Sequence, residues 1–185
     1  MYKTTNHDLL DWIKTLVIAA FFFFSIRLFI FSPLIVDGAA MMPTYENGDK
    51  IIVNKIGKHI SEFDRFDIIV FNATEEAKYI KRIIGLPGDY IYYQNDVLYV
   101  NGLAYAEPFL EASKNELPTG EKLTPNLTLE STTGHKQVPT GYLFVLGDNR
   151  PKSKDSRHIG LIPIEQVIGE ANIRFYPLDA IGFVK

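Results

Sequence analysis

Cysteine is absent from all 185 residues, and that removes disulfides, thiolate nucleophiles and thiolate metal sites together. Basic residues are not in excess: 19 Lys and Arg stand against 22 Asp and Glu, a formal net charge of -3, with no polybasic block. The electrostatic footprint of a nucleic-acid binder is therefore missing, and no nucleic-acid partner is expected. The four histidines, His7, His59, His135 and His158, are scattered, and no His-Glu-x-x-His spacing occurs. No metal and no cofactor are expected. Internal repeats are lacking, as is any soluble segment with a capped 3.6-residue apolar period. The length suits one domain with a real core and excludes a large multidomain machine.

What the chain does have is one long apolar run, Leu16 to Val36, with four consecutive phenylalanines. About 20 such residues in a helix cross the ~30 Å hydrocarbon core of a bilayer, so residues 16–36 are expected to form a transmembrane helix after a short segment, 1–15. Arg27 is the costly residue in it, tolerable near an end where its head can reach the headgroups. Gly38-Ala39-Ala40 could pass for the processing site of a cleaved leader, the competing reading of the run.

Beyond the run, short stretches rich in Ile, Val, Tyr and Phe alternate with turn signals. Lys50–Ile56, Asp67–Phe71, Tyr79–Ile84, Tyr90–Tyr93, Val97–Val100, Gly141–Leu146 and Ala171–Tyr176 are expected strands. Pro87-Gly88-Asp89, Gln94-Asn95-Asp96 and Asn101-Gly102 are turns between them. A mainly β domain is expected over 37–185. At about 107–139 the composition shifts to Pro, Thr, Glu, Lys and Gly, which reads as an excursion from the sheet.

Three fragments carry chemistry. The first is Gly38-Ala39-Ala40-Met41-Met42-Pro43-Thr44, directly after the apolar run. The second is Tyr79-Ile80-Lys81-Arg82-Ile83-Ile84-Gly85-Leu86-Pro87-Gly88-Asp89. On a strand of period two, Lys81 shares a face with Tyr79 and Ile83, an apolar setting that disfavours its cation, while Arg82 points to the other face. The third is Gly147-Asp148-Asn149-Arg150-Pro151-Lys152-Ser153-Lys154-Asp155-Ser156-Arg157. A Ser-His-Asp triad built from His158, Asp155 and Ser156 is disfavoured, because residues so close along one loop rarely converge.

With the strand Arg65–Phe71, these fragments resemble the bacterial type I signal peptidases, Gram-positive-like with a single membrane anchor. The resemblance implies a coiled antiparallel β-sheet or barrel on the extracytoplasmic side of the cell membrane, with 1–15 in the cytoplasm. It implies a Ser/Lys serine protease that removes signal peptides from secretory preproteins after an Ala-x-Ala-like site, with preproteins and the lipid bilayer as partners. Lys81 takes the general-base position and Ala40 the nucleophile position. Ser153 is expected to hydrogen-bond and orient the lysine amine, and Asp155 and Arg157 to form a structural ion pair. Met41, Met42 and Pro43 are expected to touch substrate or membrane. Gly38 stands where some relatives carry a hydroxyl donor to the oxyanion.

Alanine has no nucleophile, so the chain as written is expected not to cleave. Two readings stay open: a serine-to-alanine substitution that inactivates a peptidase, or a natural membrane-bound pseudoenzyme that binds signal peptides without cutting them.

Overall fold

A computed structural model of the chain describes residues 6–29, 31–55 and 63–184, with side chains at 9–24, 32–55 and 63–184. Helix α1 (Asn6–Phe29) leads into β1 (Phe31–Ile35), β2 (Lys50–Asn54), β3 (Ile68–Asn72) and β4 (Lys78–Gly85). There follow β5 (Ile91–Gln94), β6 (Val97–Val100), β7 (Leu103–Tyr105), β8 (Leu127–Thr128) and β9 (Tyr142–Leu146). The chain ends with β10 (Ile162–Pro163), β11 (Val167–Tyr176) and β12 (Gly182–Phe183).

The turn chemistry is what allows so many short antiparallel neighbours. Asn95 and Asp96 both take positive φ in the two-residue link between β5 and β6, and Asn101 and Gly102 do the same between β6 and β7. Such links match the right-handed twist of the strands they join. The result is a small sheet in the order β7-β6-β5-β8.

The main sheet runs β1-β2-β11-β3-β4-β9-β10, with β12 also paired to β11. The mainly β fold is as expected, but the sheet is open, bounded by β1 and β10, and not a closed barrel. Its spine is β11, which pairs β2 along one edge and β3 and β12 along the other. Register slips at Ala171/Ile173 and Arg174/Tyr176 against β2, and at Val167/Gly169 against β3, bend this long strand and curl the sheet. Strand β2 alternates buried Ile51 and Val53 with half-buried neighbours, whereas β4 is buried on both faces from Ile80 to Gly85. Ile80 packs with Met41, Tyr45 and Ile51; Ile84 packs with Phe144 and the small sheet; Ile83 packs with Ile69 and Phe71.

The single helix expected over 16–36 is corrected. Helix α1 starts ten residues earlier, at Asn6, and stops at Phe29. Pro33 has no N–H to donate and disfavours helix before it, and Phe31–Ile35 pairs with β2 instead. Asp8, Asp11 and Lys14 occupy the first turns of α1, which leaves about 15 residues, roughly 22 Å, of apolar helix. Among the described residues no helix is long and apolar enough to cross a membrane. Ile30 and residues 1–5 lie outside the described residues, as do the Arg27 side chain and the Ile56 end of the expected strand Lys50–Ile56.

The 107–139 excursion is sewn into the fold. It supplies β8 and the short helices Glu111–Asn115 and Leu129–Thr133, and it buries Glu107, Leu110, Thr124, Leu129 and Val138.

Close approach of backbones gives a testable consequence. A Cβ at Gly169 would lie 2.2 Å from the Asn54 carbonyl oxygen and 2.8 Å from its carbon, both main-chain atoms that cannot rotate away. At Gly85 the nearest atom, 2.1 Å away, is the mobile Cδ1 of Ile91. Gly169→Ala is expected to cost about 1–3 kcal/mol, read as a lower urea midpoint at unchanged m-value, and Gly85→Ala less.

Candidate active site

Strand β4 places two adjacent cations in opposite surroundings. Lys81 is 3% exposed, its Nζ donating to the Ile80 carbonyl at 2.9 Å and lying 5.1 Å from the centre of the Tyr79 ring. It makes no ion pair among the described residues. Burial therefore dominates and lowers its pKa from 10.5 to about 8, against the opposing pull of Asp155 and then Asp148. Half of such amines are neutral near pH 8, where a solvated lysine is almost wholly charged.

Arg82, next in the chain, is completely buried and fully partnered. Its Nε donates to Asp148 Oδ1 at 2.9 Å, Nη2 to Oδ2 at 2.7 Å, and Nη1 to the Phe66 carbonyl at 2.9 Å. The guanidinium also sits 3.9 Å from the centre of the Phe109 ring. Asp148 Oδ2 accepts in addition from the Thr44 hydroxyl. One carboxylate thus joins β4, the loop after β9 and the turn that follows Pro43.

The same loop reaches Ala40. The Asn149 N–H donates to the Ala40 carbonyl at 3.1 Å. A Cβ on Gly147 would fall 2.5 Å from that carbonyl oxygen and 2.2 Å from Ser153 Oγ, so only glycine fits there. Gly38 is held from the other side, its N–H donating to Asn47 Oδ1 at 2.8 Å. Ala40 and Lys81 line one groove of about 260 Å³, together with Val36, Gly38 and Met41.

Asp155 and Arg157 form a two-point ion pair, Nε to Oδ1 and Nη2 to Oδ2, both 2.8 Å. Burial alone would raise the Asp155 carboxyl; the Arg157 hydrogen bonds and charge and the Gly147 N–H outweigh it and hold the pKa below its usual value. Ser153 departs from expectation. The Lys81 amine spends its hydrogen bond on the carbonyl of its own neighbour, and the buried Ser153 hydroxyl completes no hydrogen bond among the described residues. Met41 is 2% exposed and packs in the core beneath the groove it helps to line, because the turn folds it under the sheet, whereas Met42 and Pro43 are exposed. His158 is exposed, its Nδ1 4.0 Å from Asp155, and the Ser156 hydroxyl accepts from the Val145 N–H, so the three do not form a relay.

A family model described as "Signal peptidase, peptidase S26" matches residues 9–176. The chain belongs to the S26 signal peptidase family. It is 50% identical to signal peptidase I of Bacillus caldolyticus over 159 residues, 86% of this chain and 87% of that one. It is 40% identical to signal peptidase I P of Bacillus subtilis subsp. natto over 185 residues, 99% of this chain and 97% of that one. The crystal structure of a signal peptidase I from Enterococcus faecalis V583 superposes with a TM-score of 0.57 at 41% identity, covering 60% of this chain and 97% of that one. Membership places this signal peptidase among the serine proteases.

Sequence reasoning missed what Arg150 does. This buried side chain donates to Glu107, to Thr124 Oγ1 at 2.7 Å and to the Gly147 carbonyl at 3.1 Å, while Tyr93 donates to the same Glu107 oxygen at 2.7 Å. The small sheet and the excursion are thereby tied to the loop that holds Ala40. No local signal in Glu107, within a polar stretch, pointed to a partner 43 residues away.

Two substitutions separate the roles of the adjacent cations. Lys81 is penalised below pH 8, because the fold disfavours its charged form, and the penalty fades as pH rises from 8 to 10.5. Lys81→Met is expected to stabilise the protein by about 3 kcal/mol at pH 7, and by progressively less above pH 8, in denaturant unfolding followed across pH. Arg82→Met is expected to destabilise it by about 3–5 kcal/mol, because Asp148 is left buried without its cation.

Proposed function

We propose that this signal peptidase binds the signal-peptide region of secretory preproteins in the groove lined by Ala40 and Lys81, and that the alanine leaves it unable to cut. With a serine at position 40, the hydroxyl attacks the scissile carbonyl as neutral Lys81 takes its proton. The C–N bond then breaks as the Lys81 ammonium gives that proton to the departing amine, leaving an acyl-enzyme that water hydrolyses. The observation that carries this reading is a lysine shut away from water, with its pKa lowered to about 8, in the same groove as residue 40. The Ala40 N–H has no acceptor among the described residues and is the natural donor to the developing oxyanion. Gly38 contributes no side-chain donor, and its N–H is already given to Asn47.

Substrate enters as an extended strand, with cleavage after small residues in an Ala-x-Ala-like pattern. Helix α1 is the proposed bilayer anchor. From Leu16 to Phe24 its large apolar side chains stand more than half exposed, a surface that lipid covers better than water. The β domain then sits on the extracytoplasmic side as a single-pass protein, the bilayer thinning locally to match the short apolar part of α1, with Met42 and Pro43 near the lipid or the substrate. Asp155 and Arg157 stiffen the loop behind Ala40. On this reading the Ser153 hydroxyl, which makes no hydrogen bond among the described residues, turns to the Lys81 amine once substrate is seated.

The deciding experiment is Ala40→Ser. The variant is expected to cleave a preprotein that the parent only binds, with mass analysis showing the cut after an Ala-x-Ala-like site. If it stays inactive where a Bacillus signal peptidase I cuts the same substrate, the Ser/Lys assignment fails. Because the working base is the neutral amine, kcat/KM of the serine form is expected to rise with pH, with a midpoint near 8, and to level off above it. Lys81→Met in that background is expected to abolish the activity.

A further inference from the structure

The groove beside Ala40 carries a charge of the opposite sign to the chain as a whole. Lys78, at the start of β4, lines one wall, and Lys152 and Lys154 line another. Residues 152–155 alternate: Lys152 and Lys154 are exposed, while Ser153 between them and Asp155 after them are buried. Extended backbone at Ser153 imposes that alternation, which sends both lysines outward together. None of the three makes an ion pair among the described residues. Asp37 is the one acidic residue in the described lining, in a chain whose net charge is -3. A cleft whose lining is mostly of one sign of charge concentrates that field on whatever occupies it.

We infer that Lys78, Lys152 and Lys154 form a specificity rim that selects preproteins carrying an Asp or Glu close to the scissile bond. The inference rests on the signal-peptide reading of the groove. An extended peptide lying past Ala40 runs between the wall of β4 and the 152–154 segment, so a side chain at a position not restricted to small residues projects toward one of these amines. All three cations line the groove itself, from two separate segments of the chain, which favours a peptide carboxylate lying in it over an anionic bilayer surface.

The chain as it stands suits the test, since it is expected to bind without cutting. Labelled peptides spanning a cleavage site, with Glu or Gln scanned through the positions flanking it, are titrated against the detergent-solubilised full chain by fluorescence anisotropy. At one or more positions the Glu peptide is expected to bind about three- to tenfold tighter than its Gln counterpart, the scale of a few exposed ion pairs acting together. The difference is expected to shrink in high salt and to vanish in the Lys78→Gln, Lys152→Gln, Lys154→Gln triple variant. Equal binding of Glu and Gln peptides at every position would overturn the inference while leaving the signal-peptide reading intact. A preference that survives the triple variant would also overturn it. So would equal peptide binding combined with a triple-variant loss of affinity for vesicles of anionic over neutral lipid, which would assign the lysines to lipid. Failure of every peptide to bind, Gln forms included, would sink the signal-peptide reading and this inference with it.

Discussion

The buried pair of Arg82 and Asp148 sets the positions of the residues around it. Moving two charges out of water is costly, and the geometry that offsets the cost is specific: two parallel N–H donors on two carboxylate oxygens, a third donor on the Phe66 carbonyl, and the Thr44 hydroxyl on a remaining lone pair. Few arrangements of β4, the loop after β9 and the turn after Pro43 satisfy all of these at once. Lys81 precedes Arg82 and Asn149 follows Asp148, so locking the pair also places the amine and the N–H that holds the Ala40 carbonyl. The structure gains definition from a contact that does not itself face the groove.

The contrast between Lys81 and Arg82 shows how one strand produces two chemistries. Both are buried, but an anion meets the Arg82 guanidinium squarely, while among the described residues the Lys81 amine touches a carbonyl and an aromatic ring and no anion. Burial without a partner favours the neutral amine. Asp155, the larger of the two influences in the other direction, is already committed to Arg157 and to the Gly147 N–H, so its field at Lys81 is muted. A second buried pair, Arg150 with Glu107, brings the small sheet into the same framework and steadies the loop through the Gly147 carbonyl.

Much of this was legible in the residue order. The alternation of Lys81 and Arg82 between faces followed from strand period alone, and the turns at Asn95-Asp96 and Asn101-Gly102 announced their hairpins. The short strands β7, β10 and β12 were not foreseen, being two or three residues long and recruited by their neighbours more than by their own composition. The apolar run misled in a specific way. Its hydrophobicity continues through Val36, but Pro33 and the pairing of Phe31–Ile35 with β2 convert its last part into sheet. Met41 looked like a surface residue after a membrane segment, yet the turn carries it into the core with Tyr45 and Ile51.

The sequence by itself determined the family-like order of the three fragments, the β character of the domain and the absence of a hydroxyl at position 40. Those are properties of residue type and spacing, which need no neighbours distant in the chain. Only the tertiary structure decided that, among the described residues, the Lys81 amine makes no ion pair and the Ser153 hydroxyl no hydrogen bond, and that Lys78 lines one groove with Lys152 and Lys154. Each of these depends on which segments pack against one another, and burial and charge at a site are set by what surrounds it in space.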